Sequence, residues 1–165
     1  MERLGVYFKL KHGLDFRCAR YPMVVSPYAP KTAVTAYPSH ALRAAFNGEP
    51  FTFPVSESVG MSTMFLDDVV TSILDIMEVD RSALNQHVYG LHAYTLTASQ
   101  VAHAAREYFP GFEFIYDPVE SVEHLISSWP NTLDDSGARK DWQWNPRYDF
   151  AASTEKMFRL LKQEK

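Results

Sequence analysis

Gly13-Leu14-Asp15-Phe16-Arg17-Cys18-Ala19-Arg20-Tyr21-Pro22 joins two periodicities. Phe16, Cys18 and Arg20 alternate with Arg17, Ala19 and Tyr21 until a proline halts the run, which predicts a strand. Upstream, Leu4, Tyr7 and Phe8 recur at helical spacing. Gly13 suits the left-handed residue that closes a helix, and Lys9, Lys11 and His12 suit the negative end of its dipole. Helix, glycine, strand is half of a βαβ unit, so the chain reads as α/β. Nothing caps the front of this helix. That leads to the expectation that the sequence is incomplete at its N-terminus and meets the helix in mid-course.

Outward from this stretch, composition sets limits. A length of 165 residues suits one domain with a core. Hydrophobic residues at 46% and charged residues at 22% fit an ordinary globular chain. A net charge of −4 with no basic stripe gives no electrostatic case for a nucleic-acid partner. The single cysteine, Cys18, excludes a disulfide framework and reads as a buried, inert thiol in a reducing interior. No apolar run is long enough for a bilayer span, and the first residues lack a signal-peptide core, so no membrane partner is expected. The expected location is the cytoplasm or the mitochondrial matrix. His12, His40, His87, His92, His103 and His124 show no ligand spacing, so no metal site is expected.

Along the chain, Pro27, Pro30 and Pro38 punctuate a loop. Ser39 is placed to cap a helix over residues 40–46 that Asn47-Gly48 ends. Residues 51–55 alternate as a short strand. Residues 61–66 lead into a helix over 67–78 with Val69, Val70, Ile73, Leu74 and Met77 on one face. Asp67-Asp68 could be metal ligands or an acid/base pair, but at the head of a helix they read as an N-cap and first-turn charge. Residues 87–91 read as a strand. Thr97-Ala98-Ser99-Gln100 is a capping box for a helix over 101–109, ended by Pro110-Gly111. Residues 112–116 form another strand and 119–128 a helix with Val122, Leu125 and Ile126 inward. A last helix over 151–165 buries Met157, Phe158, Leu160 and Leu161.

Between those last helices lies Ser128-Trp129-Pro130-Asn131-Thr132-Leu133-Asp134-Asp135-Ser136-Gly137-Ala138-Arg139-Lys140-Asp141-Trp142-Gln143-Trp144, which holds all 3 tryptophans of the chain. Pro130 stops the preceding helix. Asp134 or Asp135, or else Ser136, can cap the next turn. Trp142 and Trp144 pack as anchors, each needing an acceptor for its indole N–H if buried.

This stretch resembles the SWP…DDSxARxDWGW segment near the C-terminus of L-threonine 3-dehydrogenases, of the extended short-chain dehydrogenase/reductase family. Ser128-Trp129-Pro130, Asp134-Asp135-Ser136, Ala138-Arg139 and Asp141-Trp142 match; Gln143 stands where the family usually has Gly and Gly137 where Asn is common. Residues 12–26 are similar to the helix–YGLDFRCLRYPGIIS run that follows the family's catalytic Tyr-x-x-x-Lys. Met64-Phe65-Leu66-Asp67-Asp68 fits the MxYIDD run of the extended enzymes, and Tyr89-Gly90-Leu91 stands where the family has Tyr-Asn-Ile. Val34-Thr35-Ala36-Tyr37 stands where the family's Gly-rich lid ends in Thr-Thr-Asp-Tyr, with Ala36 in place of Asp and the glycines missing.

The resemblance implies the C-terminal part of a Rossmann-type doubly wound sheet plus a small substrate-binding subdomain. Residues 1–26 would supply a helix and strand of the Rossmann core, and 27–165 mainly the substrate-binding subdomain with returning core strands and helices. It implies NAD as cofactor, contacted at Tyr21, Pro22, Met23 and Val24 largely through backbone groups. It implies substrate contacts at Thr35, Tyr37, Met64 and Trp129. A dehydrogenase of this kind also needs a Gly-x-x-Gly-x-x-Gly turn, whose glycines let the backbone approach the pyrophosphate, and none of the 7 glycines is so arranged. It needs a Tyr beside a Lys to take the alcohol proton. Tyr7 and Lys11 have that spacing, but the resemblance places the family's pair upstream of Met1, and Tyr7 fits the inward stripe of its helix. No catalytic residue is therefore assigned. The expected function is the substrate-side half of an NAD-dependent L-threonine 3-dehydrogenase-like oxidoreductase. In the intact family this converts L-threonine, a small molecule, to 2-amino-3-oxobutanoate in a homodimer paired partly through the first helix. The chain alone is expected to be inactive. The alternatives are a nucleotide-sugar epimerase or dehydratase of the same superfamily, or a non-catalytic remnant or interaction module.

Overall fold

In the computed structural model, which describes residues 1–163, the first helix α1 (Glu2–His12) closes on Gly13 at φ 70°, whose amide donates to the Lys9 carbonyl. The glycine signal read in the sequence is thus where the chain turns out of the helix. The stripe read as inward is not. Leu4, Tyr7, Phe8 and Leu10 are exposed, and α1 buries no residue.

The strand expected after Gly13 is β1 (Cys18–Arg20), shorter than read and ending before Tyr21-Pro22. β1 pairs in parallel with β5 (Val88–Gly90), and β2 (Met23–Val25) pairs in parallel with β4 (Gly60–Phe65). Proline has no N–H to give a ladder, so the chain changes partner there. β4 also pairs antiparallel with β6 (Tyr94–Thr97), giving the order β2-β4-β6. β3 (Phe51–Phe53) and β7 (Phe114–Tyr116) make a third, parallel pair. These pairs, with helices between them, make the mixed α/β architecture that the sequence implied. Cys18 is half-buried in β1, and burial pushes its thiol pKa up.

The main core lies between β3, β4 and β6 and three helices: α2 (Tyr37–Asn47), α4 (Ala98–Tyr108) and α7 (Phe150–Gln163). Leu42, Phe53, Met61, Phe65, Leu96, Val101 and Met157 are fully buried there. Each such side chain contributes roughly 1.5–3 kcal/mol by leaving water. α4 opens with the expected capping box, the Gln100 amide donating to Thr97 Oγ1 (3.2 Å) and the Thr97 amide to Gln100 Oε1 (2.9 Å). α2 begins two residues before the expected cap, with Pro38 in its first turn, where a missing N–H costs nothing. Ser39 therefore caps no helix; its hydroxyl accepts from the Ser26 amide (3.0 Å) and ties the preceding loop to the helix. α7 buries Met157, Phe158 and Leu161 with Leu160 half-buried, while the predicted extension of this helix over 164–165 lies outside the described residues.

α3 (Leu66–Glu78) departs most from expectation. Asp67 and Asp68 stand in its first turn, as read, but neither caps it. Asp68 is buried and accepts from the backbone amides of Arg147 (2.9 Å) and Tyr148 (3.2 Å). Asp67 accepts from the Tyr148 hydroxyl (3.2 Å) and pairs with Lys156 (3.1 Å). The doublet anchors the segment that enters α7. The helix buries Asp68, Ser72 and Ile76, whereas Val70, Ile73, Leu74 and Met77 are exposed. Arg17 fixes the other end, donating to the carbonyls of Ile76 (2.5 Å), Met77 (3.1 Å) and Val79 (2.7 Å), where a cation complements the helix dipole. On α5 (Glu120–Ser127), Ile126 is buried and Val122 half-buried, but Leu125 is exposed rather than inward. Among the described residues no helix is long and apolar enough to cross a membrane.

Candidate functional site

At the point where β1 hands over to β2, residues 21–24 form one wall of a cavity of about 380 Å³. Thr35 and Ala36, just before α2, form a second wall. Ser62 of β4 and Trp129, Pro130 and Leu133 of the loop after α5 complete the lining. The size is that of a small-ligand cleft. None of these lining residues is charged. The Tyr21 hydroxyl is engaged by the Ser72 hydroxyl at 3.1 Å, and burial pushes its phenol pKa up. That leaves Thr35 and Ser62 as the other hydroxyl side chains on the wall. Ser62 Oγ lies 2.7 Å from His92 Nδ1, and burial lowers the His92 pKa.

The tryptophan loop is held on several sides. Pro130 follows the end of α5, and the Asn131 carbonyl accepts from the Thr95 hydroxyl of β6 (2.8 Å). Asp134, not Asp135, accepts from the Ser136 amide (3.0 Å) and opens α6 (Ser136–Trp142), while Asp135 pairs with Arg139 (2.8 Å). A Cβ on Gly90 would lie 2.6 Å from the Asp134 carbonyl oxygen. Glycine there lets the end of β5 meet the loop. Asp141 accepts from the Tyr89 hydroxyl (2.7 Å) and from both Asn85 amides (2.9 Å each), which holds its carboxyl below the usual range. The Tyr89 phenol, desolvated and beside that carboxylate, is pushed up to about 12. Trp142 and Trp144 pack at 5.7 Å between ring centroids beneath the loop. The acceptor expected for each buried indole N–H is absent among the described residues. Gln143 closes α6 at φ 57°, in the left-handed region where the matching segment of the family usually has glycine.

The structure brings Tyr21, Pro22, Met23, Val24, Thr35 and Trp129 onto this one cavity. Tyr37 and Met64 are not on its wall. Tyr37 is buried in the main core, edge-on to Phe53 at 6.0 Å; its hydroxyl has no partner among the described residues, and burial pushes its pKa up. Met64 is fully buried with Trp142 and Trp144 in a second cluster, opposite Val24 in the β2–β4 register. Sequence reading missed Ser62 and its partner His92. The available signal was the period of two on a strand, which puts Ser62 on the same side of β4 as Met64.

No protein-family model matches the chain. Among curated proteins it is 33% identical over 150 residues to the mitochondrial L-threonine 3-dehydrogenase of Sus scrofa, covering 90% of this chain and 40% of that protein. It is 32% identical over 158 residues to an uncharacterized epimerase/dehydratase of Staphylococcus saprophyticus, covering 94% and 49%. Among solved structures, the apo GalE-like L-threonine dehydrogenase from Cupriavidus necator superposes with a TM-score of 0.92 at 30% identity, covering 97% of this chain and 58% of that one. The L-threonine dehydrogenase from Phytophthora infestans gives 0.93 at 28%, covering 99% and 53%. The chain spans about half the length of the proteins it matches. The resemblance read from the Arg-Tyr-Pro and Ser-Trp-Pro segments is borne out. Homologues over nine-tenths of the chain are L-threonine 3-dehydrogenases and epimerase/dehydratase proteins, and the fold matches the C-terminal part of Rossmann-like threonine dehydrogenases.

Proposed function

We propose that this chain is the substrate-side half of an NAD-dependent oxidoreductase of the L-threonine 3-dehydrogenase type, which takes L-threonine to 2-amino-3-oxobutanoate when joined to a dinucleotide-binding part. The observation that carries the reading is the convergence of Tyr21, Pro22, Met23, Val24, Thr35 and Trp129 on one cavity. The ledge of residues 21–24 is uncharged and largely apolar, which suits the planar nicotinamide end of NAD. No lysine, arginine or glycine-rich turn lines the cavity for the pyrophosphate, so that end of the cofactor is held from elsewhere. When bound, NAD supplies the hydride acceptor for alcohol-to-ketone oxidation. This chain's part is to shape the pocket. Trp129, Pro130 and Leu133 exclude water from one side, and Thr35 and Ser62 present hydroxyls to the substrate.

Two exposed apolar stripes support the partnership. Val70, Ile73, Leu74 and Met77 on α3 suit an adjoining dinucleotide-binding part, and Leu4, Tyr7, Phe8 and Leu10 on α1 suit a homodimer contact. The epimerase/dehydratase relatives keep a second reading open, a nucleotide-sugar substrate. The Ser128-Trp129-Pro130 and Asp141-Trp142 matches to the threonine dehydrogenase segment support the first.

The test combines this chain with a separately expressed dinucleotide-binding half of a threonine dehydrogenase and follows NADH absorbance. Threonine-dependent NADH formation, sharply reduced by Trp129→Ala, is expected. An assembled pair that forms no NADH with threonine, or turns over a nucleotide sugar instead, contradicts the reading.

A further inference from the structure

We propose that Ser62, hydrogen-bonded to His92, is a specificity-determining contact by which this cavity distinguishes the alcohol form of its substrate from the ketone form. The inference rests on the alcohol-to-ketone reading above and adds the residues that sense which form is bound.

Few polar atoms are available to a ligand in the cavity. Tyr21 is taken up by Ser72, and no charged side chain lines the cavity. Ser62 lines the wall while its Oγ is 2.7 Å from His92 Nδ1. A serine hydroxyl has one hydrogen to give and two lone pairs to receive. With the imidazole neutral and its proton on Nε2, Ser62 donates to Nδ1. A lone pair on Oγ then remains for the cavity, and it is satisfied by the O–H of an alcohol. A ketone, with no hydrogen to donate, leaves it unpaired, which is the costly arrangement for a buried polar atom. With Nδ1 protonated, the imidazolium donates to Oγ and the serine hydrogen is released toward the cavity. There it is satisfied by a ketone oxygen.

The charged groups acting on His92 are Asp135, which favours its protonation, and Arg139, which opposes it. They pair with each other at 2.8 Å and offset one another, so burial remains the leading influence and keeps the imidazole neutral at pH 7. In the Nε2–H tautomer the pair therefore rests in the alcohol-accepting arrangement at neutral pH, and it moves to the ketone-accepting one as His92 gains a proton on acidification.

The test uses this chain, labelled with ¹⁵N at histidine, and two probes: 3-hydroxybutanoate and 3-oxobutanoate. They share a carbon skeleton and a carboxylate and differ only as alcohol and ketone. Dissociation constants and the His92 ring resonances are followed from pH 8 to pH 4.5. The expected result is a roughly five- to tenfold preference for the alcohol at pH 8, the size of one unmade hydrogen bond. That preference should fall several-fold as the His92 resonances titrate. Ser62→Ala, and independently Ser62→Cys, should bind both probes with a ratio that no longer follows His92. A ratio in the unmodified chain that ignores pH overturns the proposal. So does a Ser62→Ala ratio that still tracks His92, or probes that leave the His92 resonances unmoved. Each of those failures leaves the NADH assay free to uphold the oxidoreductase reading on its own.

Discussion

Two helices in this chain carry apolar residues at the same spacing and end in opposite situations. α4 buries Ala98, Val101, Ala102 and Ala105 against the main core. α3 buries Asp68, Ser72 and Ile76 and leaves Val70, Ile73, Leu74 and Met77 in the open. One side of the molecule is closed by its own sequence, and the other presents apolar surface with no cover from the described residues. Periodicity says which side chains share a helix face. It does not say whether the matching surface belongs to the same stretch of chain, and these 165 residues correspond to only 40% to 58% of their threonine dehydrogenase relatives.

The difference can be pressed by substitution. Met157→Ala, in the closed core, should cost about 2–5 kcal/mol in a denaturant titration, because a fully buried side chain leaves a cavity behind. Gly90→Ala should cost about 1–3 kcal/mol, since its methyl meets the rigid Asp134 carbonyl rather than a mobile side chain. Gln143→Gly should raise stability by about 1 kcal/mol in the same titration, by removing a side chain from left-handed backbone at the end of α6. Leu74→Ser, on the open face, should change stability by less than about 0.5 kcal/mol while weakening association with a separately expressed dinucleotide-binding half in sedimentation velocity. If Leu74→Ser destabilised the chain as much as Met157→Ala, the contrast between the two sides would be void.

What the sequence made legible was local. Gly13 and Gly48 mark left-handed helix ends, Thr97 with Gln100 marks a capping box, and all three sit where they were read. The cavity was legible through the similarity of the Arg-Tyr-Pro and Ser-Trp-Pro segments, whose residues meet across the fold from positions more than a hundred apart. Illegible features depended on distant partners. Asp67-Asp68 has the look of a helix start because acidic residues favour that place, yet Asp68 is held by amides 79 and 80 residues downstream. The resemblance places Tyr37 at the end of the lid, but its position at the start of α2 turns it into the main core. Ser62 drew no notice because nothing near it in sequence announces His92, which is 30 residues away.

On the proposed function, the cavity beside Trp129, and not the packed tryptophan pair, receives the substrate. The three tryptophans provide the test within one ¹H–¹⁵N spectrum of the chain titrated with L-threonine. Trp129 is half-buried at the cavity, while Trp142 and Trp144 are buried in the second cluster. A saturable shift of the Trp129 indole cross-peak, with the other two unmoved, is the predicted result. A Trp129 peak that stays still while threonine binds, or three peaks that move together, would contradict it.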